Sequence, residues 1–144
     1  MSTSVPLAAE EEHKPSHFLR QIIEADPNQS DPFHLLGVIA RQSGKHEIAI
    51  RFMEHAIHLN PANEIYHNNL GGTLSELRRN SEAIASFRRA IELAPGYAVA
   101  HNNLGGALIE RGLIDEAVDC FRRAVELQPD YAEAHSNLLL TLQY

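Results

Sequence analysis

A chain of 144 residues that is 44% hydrophobic and 22% charged is long enough for one packed domain, has too little glycine (8) to be collagen-like and is too polar to be membrane-embedded. Aromatics at 6%, with no Trp, favour helices over a β-sandwich or barrel. The net charge of -7 argues against a general nucleic-acid binder, whose phosphate contacts need clustered cations, and the single cysteine, Cys120, excludes an internal disulfide and a multi-cysteine zinc site.

Residues 1–13 carry Glu10, Glu11 and Glu12 and no apolar core of signal-peptide length, so a disordered tail is expected there. With a lone cysteine and no leader, the natural setting is a reducing, cytoplasmic one. Residues 14–27 read as a helix carrying Phe18, Leu19, Ile22 and Ile23. The longest early apolar run, Leu35 to Ala40, falls far short of the ~20 residues that span a bilayer, and no membrane contact is expected.

From Pro27 the sequence keeps step every 34 residues, through Pro61, Pro95 and Pro129. Leu36, Leu70, Leu104 and Leu138 hold the same step, as do Gly37, Gly71 and Gly105. So do Ala49, Ala83 and Ala117, then Ala56, Ala90 and Ala124, with Met53, Phe87 and Phe121 bulky between them. Full units are expected at 30–63, 64–97 and 98–131, with a last first-type helix at 132–144. The helix at 14–27 ends in register with the second helix of a unit and reads as an N-terminal half-repeat cap.

Within a unit, Leu70, Leu74 and Leu77 recur at helical spacing, then Ala83, Phe87 and Ala90. Asn80 and Ser81 supply an expected turn and N-cap between them, where Gly44 and Gly112 mark the turn of the neighbouring units. Each closing proline stops a helix just past its end. Gly71 and Ala83 would let the two helix axes approach closely. Arg88 and Glu92, and Arg122 and Glu126, stand four apart on an expected solvated face. A lone helix pair of this kind cannot bury its apolar side, and stacked neighbours can.

On Leu70-Gly71, Ala83, Phe87, Ala90 and Pro95, and again on Leu104-Gly105, Ala117, Phe121, Ala124 and Pro129, the chain resembles the tetratricopeptide repeat family. The resemblance covers residues 30–144. It implies an all-α, right-handed α-solenoid of helix-turn-helix repeats, about eight helices in all, whose first helices line a concave groove. The family's first-helix aromatic is Phe33 in one unit but His67, His101 and His135 in the others, and its later aromatic is replaced by Ala40, Leu74, Leu108 and Leu142. Local repacking is expected there.

The implied groove carries the candidate site. Asn69, Asn103 and Asn137 hold one repeat position, and Asn68, Asn102 and Ser136 the one before. Asparagine is a poor helix-interior residue, so its repetition suggests a use: each amide offers a donor and an acceptor to the backbone of an extended peptide. The competing reading is that these asparagines only bond neighbouring helices. Gly72 and Gly106 follow the packing glycines, and the missing side chains would let a ligand come near. The expected peptide-binding residues are His34, Asn68, Asn69, Gly72, Asn102, Asn103, Gly106 and Asn137. A dicarboxylate clamp needs cations on these helices, and His34, Val38, Asn68, Gly72, Asn102 and Gly106 stand there instead.

No phosphate-binding, dinucleotide, nucleophile-elbow or zinc-protease motif is present, and no catalytic residue or cofactor is expected. His67, His101 and His135 recur once per unit, one helix-stacking distance of ~10 Å apart, too far to share a metal with ligand bonds of ~2 Å. His55 and His58, three apart on one helix with Glu54, read as surface or packing residues, not as a metal site. The pairs Arg78-Arg79, Arg88-Arg89 and Arg122-Arg123 are interleaved with acids and read as a salt-bridged outer face.

The leading expectation is therefore a non-enzymatic scaffold that binds a protein or peptide segment in its groove. A second rests on the string Ala134 to Tyr144, with Leu139 in place of the repeat glycine. Together with the asparagine ladder it resembles the repeats that precede the catalytic region of O-linked N-acetylglucosamine transferases. That resemblance implies the substrate-recognition arm of a larger glycosyltransferase. The same apolar last helix could also pack on a twin chain as a two-fold homodimer.

Overall fold

The computed structural model describes residues 14–144, so the tail expected over 1–13 lies outside the described residues. The described residues form eight helices and no strand: α1 (Pro15–Ala25), α2 (Ser30–Gln42), α3 (His46–Leu59), α4 (Glu64–Glu76), α5 (Asn80–Leu93), α6 (Ala98–Glu110), α7 (Ile114–Leu127) and α8 (Ala132–Thr141). The chain divides at Pro61 into two compact units, the first holding α1 to α3 and the second α4 to α8.

Local chemistry sets the helix ends. Pro27, Pro61, Pro95 and Pro129 each stand two residues past a helix end, where a missing N–H and a blocked φ stop the helix without breaking it. Pro15 opens α1, where its fixed φ suits the first turn. Between paired helices the backbone turns through one left-handed residue: Gly44 (φ 77°), Arg78 (φ 62°) and Gly112 (φ 76°). The residue after each donates its N–H back across the turn, Lys45 to Ala40 O, Arg79 to Leu74 O and Leu113 to Leu108 O, at 2.8, 3.0 and 2.9 Å. These bonds satisfy carbonyls the helix end would leave bare.

The turn between α4 and α5 differs from the expected one. Asn80 is already helical, and the N-cap residue, Arg79, makes no side-chain cap bond. The turn rests on Arg78, which takes a conformation glycine adopts at both equivalent positions. Asn63 is the asparagine that caps. Its side chain accepts from Ile65 N at 2.9 Å and Tyr66 N at 3.3 Å at the start of α4.

Each repeat packs by one rule. A β-carbon at Gly71 would lie 2.6 Å from Phe87 Cε1, one at Gly105 2.6 Å from Phe121 Cε1, and one at Gly37 2.8 Å from Met53 Cγ. The repeat glycine on the first helix is thus the floor beneath the bulky residue of the second. Ala83, Ala90, Ala117 and Ala124 complete these buried seams in the second unit, and Ala49 and Ala56 do so in the first. Helix α1 packs against α2 yet buries none of its own residues.

The outer surface is salt-bridged, with pairs three residues apart or between helices in place of the expected four-residue steps. Arg89 meets Glu92 at 2.9 Å and Arg123 meets Glu126 at 3.4 Å, while Arg88 reaches across to Glu116 at 3.3 Å. Arg79 pairs with Glu82 at 2.7 Å and Arg78 with Glu110 at 3.3 Å. Exposed pairs of this kind contribute at most about 1 kcal/mol each, against ~1.5–3 kcal/mol for burying a large apolar side chain, so packing holds the repeats together. No helix among the described residues is long and apolar enough to cross a membrane.

Candidate functional site

In the second unit, α4, α6 and α8 are joined by a polar network that repeats once per unit. Asn68 on α4 is buried. Its Nδ2 donates to the Tyr97 hydroxyl at 3.4 Å, and its Oδ1 accepts from Asn103 Nδ2 on α6 at 3.0 Å. One repeat later, buried Asn102 donates to the Tyr131 hydroxyl at 3.3 Å and accepts from Asn137 Nδ2 on α8 at 3.0 Å. A buried amide needs such partners, because leaving one unsatisfied costs about 1–3 kcal/mol.

The asparagines therefore fall into two layers. Asn68 and Asn102 form the inner layer, and both their amide ends are committed to holding helices together. Asn103 and Asn137 are half-buried. Each spends one N–H on the inner layer. Their Oδ1 atoms make no hydrogen bond within the described residues, and no buried side-chain polar atom lacks a partner, so these oxygens face solvent. Asn69 is half-buried, with its carbonyl accepting from Thr73 Oγ1 at 2.9 Å. The Asn137 carbonyl accepts in the same way from Thr141 Oγ1 at 2.6 Å.

Gly106 is exposed, and a β-carbon there would meet nothing within 4 Å. Gly72 is half-buried. His34 lies on α2 in the first unit, at the repeat position of Asn68 and Asn102, and is buried like them. Desolvation holds its ring below the ordinary value of 6.5, opposed by the charge of Asp31. It is a neutral, enclosed histidine.

Two features here are not evident as roles from the residues alone. Tyr97 and Tyr131 stand one repeat apart, and that spacing was the available signal. Burial raises both phenols above their ordinary range, with help from Glu64 and Glu133 respectively, while the bonds from Asn68 and Asn102 oppose it. Both hydroxyls remain protonated at neutral pH. The second feature is the role of the repeat histidines. His101 Nε2 meets Pro95 O at 2.9 Å, and His135 Nε2 meets Pro129 O at 2.7 Å. In the first unit the aromatic Phe33 holds that position, edge to face with His55 at 4.3 Å between ring centroids. Cys120 is half-buried, and its thiol is pushed up to about 11, first by burial and then by Asp119 and Glu116, which outweigh Arg88. At neutral pH it is a protonated packing group, since the thiolate is the reactive form.

Two family models described as tetratricopeptide repeat match the sequence, one over residues 34–98 and one over 74–139. The chain is a tetratricopeptide repeat protein. No curated protein matches it significantly. Among solved structures, this tetratricopeptide repeat chain is similar to MamA, with a TM-score of 0.82 and 20% identity over 99% of this chain and 85% of that one. It is also similar to the first tetratricopeptide domain of Spaghetti (RPAP3), solved bound to the HSP90 peptide SRMEEVD, with a TM-score of 0.79 and 23% identity over 82% and 94%. The Arabidopsis OM64 tetratricopeptide domain gives 0.77 and 25% over 80% and 95%.

Proposed function

We propose that this chain is a non-enzymatic protein-interaction scaffold, and that the α4, α6 and α8 face binds an extended peptide through the asparagine ladder. The observation that carries the reading is the two-layer network. Buried Asn68 and Asn102 fix the rotamers of Asn103 and Asn137, and the Oδ1 atoms that remain point to solvent. Pre-set polar groups lose little entropy when a ligand arrives. Exposed Gly106 leaves the helix surface open beside them. Asn69 and Gly72 extend the same face on α4, and Asn68 and Asn102 support it from behind. His34 belongs to the same reading as the first unit's counterpart of that support.

A peptide-display library selected on the chain supplies the ligand for the test. Asn103→Ala with Asn137→Ala should weaken binding of the selected peptide about tenfold or more, since two charge-neutral hydrogen bonds at ~1 kcal/mol each are lost. Asn102→Ala, measured well below its melting temperature, should weaken it less. Equal affinity for the double variant and the parent would contradict the ladder.

The peptide's chemistry is also constrained. No lysine or arginine stands among His34, Val38, Asn68, Gly72, Asn102 and Gly106. The acidic peptide SRMEEVD, held by the Spaghetti domain, should show no saturable binding here by calorimetry. Saturable binding that a groove substitution abolishes would overturn this.

A second reading, favoured by the same ladder and the Ala134 to Tyr144 string, makes the chain the substrate-recognition arm of a larger O-linked N-acetylglucosamine transferase-like protein. Blotting source-cell lysate with an antibody to this chain separates the two. A band near 16.0 kDa supports the free scaffold, and a much larger band supports the arm.

A further inference from the structure

Position 48 breaks a charge pattern that the second unit keeps. Its counterparts at 34-residue steps are Glu82 and Glu116. Each supplies the carboxylate of an ion pair. Arg79 meets Glu82 at 2.7 Å, and Arg88 reaches from α5 to Glu116 on α7 at 3.3 Å. The first unit keeps both cations, Lys45 at the place of Arg79 and Arg20 at the place of Arg88. Ile48, 40% exposed, stands where both would find their acid. Neither Arg20 nor Lys45 makes an ion pair among the described residues.

A cleft of about 390 Å³ opens at this point, lined by α1, α2 and α3. Ile39, Ile48 and Phe52 belong to its apolar part. Arg20, Lys45 and Lys14 bring cations to it, Ser43 brings a hydroxyl, and no acidic side chain lines it. Glu47, in the first turn of α3, lies outside the lining. In a chain of net charge -7, three cations without an acid are a local reversal. The second unit has no such reversal. Its corresponding cleft carries Arg88 and Cys120 at the places of Arg20 and Phe52, and there Arg88 and Arg123 are balanced by Glu92 and Asp119.

We infer that this cleft binds a small amphiphilic carboxylate, one anionic head on a short acyl or aryl body. The Arg20 guanidinium and the Lys45 ammonium hold the head where the second unit places a glutamate. The planar fork of the arginine suits a carboxylate. The body lies on Ile39, Ile48 and Phe52. Both parts of the ligand are needed: exposed cations alone hold a bare anion weakly, and burying the apolar body supplies the rest. The cleft has the size of a small-molecule pocket and the usual make-up of one, apolar walls with a few polar groups. It lies wholly in the first unit, shares no residue with the outward asparagines and stands apart from the peptide-binding reading.

Sodium octanoate titrated into the nitrogen-15-labelled full chain tests this, with acetate and 1-octanol as controls. The backbone amides of Ser43, Lys45 and Ile48 should shift to saturation with octanoate. Acetate has the charge without the body and 1-octanol the body without the charge, so each should bind about tenfold or more weakly than octanoate. Ile48→Glu restores the carboxylate of the second unit at an exposed position and should abolish octanoate binding with helicity unchanged. Ile48→Ala removes apolar area alone and should keep most of the binding. Arg20→Gln with Lys45→Gln, a second route that leaves Ile48 in place, should weaken it about tenfold or more. Octanoate shifts that never saturate, 1-octanol that binds as well as octanoate, or Ile48→Glu that binds like the parent would each overturn the proposal. So would octanoate binding that appears only once Glu10, Glu11 and Glu12 are changed to glutamine, which would assign the cleft to the chain's own acids.

Discussion

Arg78 shows how much one residue can reveal about a turn. It takes a φ of 62° at a position where the neighbouring repeats use Gly44 and Gly112. A side chain in that region costs of order 1 kcal/mol, and its exposed ion pair with Glu110 returns little of that. Arg78→Gly should therefore stabilise the chain by about 0.5–1 kcal/mol in urea unfolding. A loss of stability would mean that the Arg78 side chain does more than its geometry indicates. His34 makes the opposite kind of statement. Desolvation depresses its folded pKa below the ordinary 6.5, so the unfolded chain takes up the proton first as pH falls. Its contribution to stability is complete above pH 6.5 and is lost as pH falls below that value. Melting temperatures at neutral and mildly acid pH should show a steeper acid loss for the parent than for His34→Asn, which installs the residue found at Asn68 and Asn102. Parallel losses would place the acid sensitivity elsewhere.

Between helices, the glycine-over-aromatic seam and the asparagine network do separate jobs. The seam supplies the close approach of paired helices. The network fixes how α4, α6 and α8 align, because Asn68 and Asn102 must meet a tyrosine hydroxyl and an asparagine amide together. Asn102→Ala removes a buried partner of both Tyr131 and Asn137 and should cost about 1–3 kcal/mol in thermal or urea unfolding. A neutral effect would show that the network is dispensable. Much of this level is legible in sequence. The 34-residue step in Pro, Leu, Gly and Ala predicts paired helices because each residue type has one steric reason to sit there. The turn before α5 is not legible in the sequence, because capping preference points to Asn80-Ser81 and only the backbone shows that Arg78 makes the turn. The asparagine layers were equally hidden. Adjacent residues Asn102 and Asn103 have the same chemistry, and helix rotation alone decides that one is enclosed and the other faces water.

For the molecule as a whole, two compact units divide the work at Pro61. The second carries the outward asparagines, and the first carries the cation-rimmed cleft of α1, α2 and α3. At the repeat position of Asn103 the first unit has Leu35, and at that of Gly106 it has Val38. The polar ladder therefore stops at the first unit. A peptide selected on this chain should be read by its backbone over the second unit alone.

The most direct test follows the asparagine side-chain amides by NMR while an unlabelled, display-selected peptide is titrated into the nitrogen-15-labelled chain. The NH₂ resonances of Asn103 and Asn137 should shift progressively to saturation, while those of Asn68 and Asn102 move less because both ends of their amides are bonded within the chain. Saturable binding that leaves Asn103 and Asn137 unmoved would contradict the claim that this face is the peptide-binding site.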